Sequence, residues 1–238
     1  MPPTAAKPYL TPEQQTLFRE RGVLQLKGAA GRSQVSSLRE YVLEELERLK
    51  VWASGKSLSA SLKQLPAFQQ ITRLSGMIRL PETPSPLISP GLYADMEALA
   101  EGKLAAAPGQ LLLSLPNQGE WTLEGLNWHT DVAPEKQRVP GIQAFVLVDD
   151  VLPRGGATLA MAGSHRLAEQ GEAGRTFRER LRRNENLEHE MRARDFSILE
   201  MSGQAGDVYL MDMRTLHTPS INASRKLRIM ATVRYLAA

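Results

Sequence analysis

Among the side chains able to hold a metal ion, this 238-residue chain offers four histidines and no cysteine. His129 stands in the string N-W-H-T-D, two residues before Asp131. His217 follows 86 residues after Asp131, in R-T-L-H-T-P-S-I-N-A-S-R-K-L-R. On a β-strand, residues i and i+2 point to the same side. His129 and Asp131 can therefore offer an imidazole nitrogen and a carboxylate oxygen to one ion. With His217 arriving from a neighbouring strand, the donor set becomes two histidines and one carboxylate. That set, with positions left open, is the signature of non-haem Fe(II) oxygenases.

The open positions call for a cosubstrate. Arg228 lies eleven residues after His217, inside the apolar string L-R-I-M-A-T-V-R-Y-L. A permanently charged guanidinium in a strand that reads as buried is costly unless paired. A dicarboxylate would pair it in a bidentate fork. 2-Oxoglutarate fits this need, with its keto-acid end on the metal and its far carboxylate on Arg228. Arg225 is the competing arginine, but it follows S-I-N-A-S in an expected loop, where solvent suffices.

Other polar residues read as structural. His165, in A-G-S-H-R-L, suits a turn in which the ring bonds to backbone, since a fourth protein ligand would close the metal site. His189 falls in a charged run and is expected in solvent. Asp207 fits a tight turn. Asp212 and Arg214 can form an ion pair that orients the strand of His217.

The chain also resembles the phytanoyl-CoA dioxygenase family of Fe(II)/2-oxoglutarate-dependent oxygenases. The likeness rests on Trp128-His129-Thr130-Asp131, on G-G-A-T-L-A-M-A-G-S-H-R-L from Gly155 to Leu167, and on G-D-V-Y-L-M-D-M-R-T-L-H from Gly206 to His217. Asn222, Ser224 and Arg228 continue it, and Thr11 to Gly28 is similar to the family's opening helix and strand. It spans roughly residues 10 to 236. The resemblance implies a double-stranded β-helix, that is, a cupin-like jelly roll, mainly β with flanking helices. It also implies that Fe(II), 2-oxoglutarate and O2 together hydroxylate an unactivated C–H bond, releasing succinate and CO2. His129, Asp131 and His217 would be the catalytic metal ligands, with Arg228 for the cosubstrate. Phe145 falls where the family often sets an aromatic ring against the cosubstrate, and equally fits ordinary core. Thr158 is open in the same way. Asn222 and Ser224 fit either a turn or a cosubstrate contact. Related halogenases replace the carboxylate ligand by Gly or Ala, so Asp131 favours hydroxylation, with desaturation or ring formation remaining open.

The bulk numbers bound the partners. A net charge of +3 is too mild to point to nucleic acid and slightly suits an anionic small molecule. A chain shorter than many family members favours a small substrate, such as an amino-acid derivative or biosynthetic intermediate, over a bulky acyl-CoA. Zero cysteines exclude disulfides and thiolate metal sites. The opening M-P-P-T-A-A-K-P-Y-L has no secretory h-region, and no apolar run reaches membrane-spanning length. A cytoplasmic setting is the expectation, and the oligomeric state is open.

These residues need elements to hold them. Residues 1–10, with three prolines, read as a loose arm, and 11–238 as one domain. Thr11 caps a helix with Pro12 at its first position and Gln14 three residues on; Gly22 ends it, and V-L-Q-L-K-G reads as a strand. Val35, Leu38, Val42, Leu46 and Leu49 mark a helix from about Ser33 to Lys50. Two more helices are expected near Pro66–Gly76 and Tyr93–Glu101. Short strands follow: G-Q-L-L-L-S-L-P-N, L-N-W-H-T-D, G-I-Q-A-F-V-L-V-D-D-V, A-T-L-A-M-A-G, S-I-L-E-M, D-V-Y-L-M-D and R-I-M-A-T-V-R-Y-L. Such a series suits a jelly roll. A charged, helical insert at about 174–195, lacking a strong apolar stripe, reads by default as a solvated helix and, as the sharper alternative, as a mobile cover over the site.

Two other classes compete. One is a jelly roll that only binds; the other is a cupin-type metal-dependent isomerase or hydrolase. Neither requires Arg228.

Overall fold

The computed structural model describes residues 8–81, 87–132, 138–182 and 187–238. The chain opens with helix α1 (Pro12–Arg21), capped by the expected box in which Thr11 and Gln14 each accept the other's backbone N–H. Gly22 closes α1 in the left-handed region at φ 69°, which a glycine adopts without strain. A Cβ there would collide with the His165 ring. Then come β1 (Val23–Leu26), α2 (Arg32–Arg48), a small hairpin of β2 (Trp52–Ala53) and β3 (Lys56–Ser57), α3 (Ala60–Lys63), α4 (Ala67–Met77) and α5 (Pro90–Leu99). The strand-rich part runs through β4 (Leu104–Ala106), β5 (Gln110–Ser114), β6 (Gly141–Leu147) and β7 (Thr158–Ala162). A 3-10 turn (Ser164–Gln170), α6 (Glu172–Arg182) and α7 (Leu187–Ala193) interrupt it. It ends with β8 (Ser197–Glu200), β9 (Val208–Asp212), β10 (His217–Pro219) and β11 (Arg228–Ala237).

Two antiparallel sheets face one another as in a jelly roll. The larger runs β1-β9-β6-β11, and the free edge of β11 is shared by β5 and β4. The smaller is β10-β7-β8. Period-2 alternation assigns the two faces of the large sheet. Leu24, Leu111, Leu113, Ile142, Ala144, Val146, Leu210, Ile229 and Ala231 pack outward against Phe18 of α1, the stripe Val35, Leu38, Val42 and Leu46 of α2, and Leu92 and Met96 of α5. Val23, Phe145, Leu147, Tyr209, Met211 and Met230 face inward against Ala160 and Ala162 of β7. The cavity lies between the sheets.

Three expectations are corrected. The arm is not loose to its end, because Leu10 is buried and its N–H donates to the Asp95 carboxylate; residues 1–7 lie outside the described residues. L-N-W-H-T-D is not a strand: His129 forms one antiparallel bridge, to His217, and Asp131 sits in a bend. With β10 only three residues long, there is no partner along which a ladder could extend. The charged insert also has an apolar stripe. Phe177, Leu181, Met191 and Phe196 form a third core with Met161, Leu167 and Leu216.

Candidate metal and cosubstrate site

His129, Asp131 and His217 are brought together, with one ligand atom from each lying within 4.8 Å of the other two. The backbone does much of this. His129 and His217 exchange both N–H···O bonds, at 3.0 and 2.9 Å, which brings their rings to 4.4 Å between centroids, tilted 49° to each other. Their tautomers follow from their partners. His129 Nδ1 meets the Asn127 carbonyl at 2.9 Å and His217 Nδ1 meets the Thr215 carbonyl at 3.1 Å. A carbonyl only accepts, so both Nδ1 atoms carry the proton and both Nε2 lone pairs are free for a metal. Burial, with the neighbouring His129 and Arg234, pushes His217 down to about 4 despite the pull of Asp131. Its ring is therefore neutral at pH 7, the form a metal needs.

Asp131 Oδ2 lies 3.7 Å from His217 Nε2. The same carboxylate is gripped from the other side by Arg234, with Nε donating to Oδ2 at 3.2 Å and Nη2 to Oδ1 at 3.1 Å. Sequence reasoning missed Arg234. The signal was present, since Arg228, Met230, Thr232 and Arg234 alternate onto one face of β11.

The two imidazoles and Arg234 open on one cavity of about 400 Å³, lined also by Phe145, Thr158, Gln143, Arg228 and Thr232, with Phe68, Ile71, Thr72, Ser75 and Gly76 at its α4 side. Arg228 is 2 % exposed and is the largest fully buried side chain described. Among the described residues its Nη1 meets only the Met230 sulfur, at 3.4 Å, and Nε and Nη2 have no partner. Burial alone lowers the guanidinium to about 9, so it stays charged at neutral pH. An orphaned buried cation beside two imidazoles and a carboxylate fits an anion that also reaches the metal.

The other candidates sort by position. Phe145 packs edge-on to His217, with centroids 6.4 Å apart, and Thr158 lines the cavity. Ser224 is a correction: it is not brought to the described cavity wall. Its hydroxyl bonds Asn222 and Lys226, so Asn222 and Ser224 shape the turn before β11. Arg225 is exposed. His165 bonds the Arg19 carbonyl at 3.0 Å, away from the triad. His189 is exposed. Asp207 braces its turn through Gly28, Gln204 and Gln25. Asp212 and Arg214 form a buried ion pair at 2.8 Å. Among the described residues, the mouth is covered by α4, with Phe68 edge-on to His129 at 6.1 Å, and not by the charged insert.

The profile of the phytanoyl-CoA dioxygenase (PhyH) family matches residues 18–230. The chain belongs to that family. Phytanoyl-CoA dioxygenase relatives are 2-oxoglutarate-dependent non-haem iron enzymes, and the triad and the cavity beside it supply donors suited to Fe(II) and 2-oxoglutarate. Several solved structures share the fold at low identity. The non-haem α-ketoglutarate-dependent carbocyclase SnoK from nogalamycin biosynthesis aligns with a TM-score of 0.61 at 18% identity, over 97% of this chain and 85% of that one. The epimerase SnoN, in complex with Fe3+, α-ketoglutarate and nogalamycin RO, aligns at 0.57 and 17%, over 95% and 83%. EctD from S. alaskensis, with 2-oxoglutarate and 5-hydroxyectoine, aligns at 0.60 and 17%, over 98% and 78%. No curated protein sequence matches the chain. No helix among the described residues is long and apolar enough to cross a membrane.

Proposed function

We propose that this chain hydroxylates an unactivated C–H bond of a small molecule. His129, Asp131 and His217 hold Fe(II), and the guanidinium of Arg228 pairs with the far carboxylate of 2-oxoglutarate. The observation that carries this reading is Arg228, without a counterion among the described residues, in the wall of the cavity that His129 and His217 also line. A metal-dependent isomerase or hydrolase that takes no dicarboxylate cosubstrate has no use for a buried cation kept without a counterion, and succinate release separates turnover from a jelly roll that only binds an anion.

Bound together, iron, 2-oxoglutarate and O2 supply the oxidising power for C–H cleavage: one oxygen atom leaves in succinate, the other in the alcohol, and CO2 is released. The chain's own residues orient and shield. Phe145 and Thr158, in the cavity wall, would flank 2-oxoglutarate held by Arg228. Phe68, Ile71 and Thr72 of α4 limit water at the mouth, which strengthens the charge interactions inside.

Gln143 and Arg234 face the remaining space and suggest what the substrate carries. Thr232 Oγ1 donates to the Ala144 carbonyl, so it must accept from Gln143 Nε2 at 3.0 Å. This orients the amide and leaves Gln143 Oε1 without a partner. A hydroxyl or amine on the substrate would satisfy it, and Arg234, whose charge is already paired with Asp131, adds a polar wall beside it. An amino-acid derivative or biosynthetic intermediate in the cytoplasm meets these terms.

Anaerobic Fe(II) and 2-oxoglutarate should together give a weak visible charge-transfer band in the wild type, and none in Asp131→Ala. A wild type that binds both without the band would overturn the reading. Product analysis of substrates that stimulate succinate release then separates hydroxylation from cyclisation and epimerisation.

A further inference from the structure

We infer that Arg234 is a positioning residue that holds Asp131 in its ligating pose. The inference rests on reading His129, Asp131 and His217 as metal ligands. The three are not equally well supported by the backbone. His217 belongs to β10, and His129 is bridged to it by two backbone hydrogen bonds. Each ring is further fixed through Nδ1 to a carbonyl two residues earlier. Among the described residues Asp131 has neither kind of support. It lies in a bend outside any strand, and the nearest local side-chain bond is that of Thr130 Oγ1 to the Val132 carbonyl.

What fixes the carboxylate is the guanidinium fork of Arg234, which takes one oxygen with Nε and the other with Nη2. Two parallel bonds stop the carboxylate from rotating, as one bond to a lysine would not. The fork is itself anchored. Arg234 stands on β11 directly opposite Gln143 of β6, inside the six-stranded sheet. The pair is well buried on the acid side, with the Asp131 side chain 10% and the Arg234 side chain 37% exposed. The least supported ligand is thus tied to the most extensively paired strand of the fold.

A simpler role would be charge neutralisation of Asp131 in the metal-free protein. The two roles differ in sign. A mere counterion competes with the metal for Asp131, so removing it should tighten metal binding. A positioning fork prepares the ligand, so removing it should weaken binding.

The test is a Mn(II) titration of metal-stripped protein, read by the electron paramagnetic resonance signal of free Mn(II). Folding is checked by circular dichroism. Arg234→Met should weaken Mn(II) binding by about ten- to hundred-fold, the usual effect of losing a partner of a metal ligand. Arg234→Lys keeps the charge without the fork and should lose most of that affinity too. It also serves as the decisive variant if Arg234→Met does not fold. In an Asp131→Ala background, adding Arg234→Met should change the residual affinity by less than about two-fold, because the partner is already gone. Unchanged or tighter Mn(II) binding in the single variants would overturn the inference, as would an equal loss in the Asp131→Ala background. A wild type that binds no Mn(II) would instead bring down the metal reading, and this inference with it.

Discussion

At the scale of single residues, Arg228 makes the sharpest demand on the chain. A buried guanidinium with two unpartnered nitrogens costs stability in the free protein. Arg228→Met should therefore melt higher than the wild type in buffer without 2-oxoglutarate. With Mn(II) and 2-oxoglutarate at about one hundred times Kd, the wild type should gain about 2.7 kcal/mol of stability, while Arg228→Met gains far less. Differential scanning fluorimetry reads both effects, and a variant that melts lower than the wild type without ligand would show the guanidinium already satisfied. In steady state, Arg228→Gln should raise the apparent KM for 2-oxoglutarate by about ten-fold or more; Arg225→Gln, altering an exposed side chain, should not. His217 sets a pH dependence. Its folded-state value lies below the ordinary 6.5, at about 4, so between those values the unfolded chain binds a proton that the folded chain does not. Stability must then fall as pH drops from 6.5 towards 4. Urea midpoints should show this slope in the metal-free protein, and His217→Gln should flatten it.

At the scale of elements, what the sequence disclosed depended on whether a pattern needed a distant partner. The α1 cap, the α2 stripe and β6, β7, β9 and β11 follow from local periodicity, and they stand where the pattern puts them. L-N-W-H-T-D alternates like a strand but found no ladder, because pairing depends on β10, which starts only at His217, so that the bridge sets Asp131 opposite Thr215 in the preceding bend and Asn127 opposite Pro219. The ligands converge all the same, through one bridge and one salt bridge. The need of Arg228 for an outside partner was legible in its apolar strand, and the alternation of β11 put Arg234 on the same face, but that Arg234 grips Asp131 was not, since it depends on which side chains lie across the cavity. The charged insert misled in another way. Its arginines and glutamates drew attention from Phe177 and Leu181, which are four residues apart and share a helix face. Phe177→Ala should therefore cost about 3–5 kcal/mol and speed hydrogen exchange across α6 and α7, as followed by mass spectrometry. A loss under about 1 kcal/mol would return the insert to the loosely packed segment first expected.

At the scale of the whole molecule, the site is a seam. His217 and Thr158 come from the small sheet, Arg228, Gln143 and Arg234 from the large one, and His129 and Asp131 from the loop between β5 and β6. Ligands bound there tie the two sheets together. Stripping metal and 2-oxoglutarate should lower the melting temperature of both at once, with tryptophan fluorescence and far-ultraviolet circular dichroism giving one coincident transition. Two separated transitions would mean that the sheets unfold independently. β11 adds a constraint of a different kind. It bears Arg228 at its start and Arg234 six residues later, about 20 Å along the strand, and hydrogen bonds on both edges hold its register. A slip of one residue would turn both guanidinium groups away from the cavity together. A slip of two would keep them facing it, yet displace each by about 7 Å. The strand thus works as a ruler with two marks that cannot be moved separately. The mouth at α4 belongs to a separate element, whereas the anion anchor and the clasp on Asp131 are bound together as a single trait.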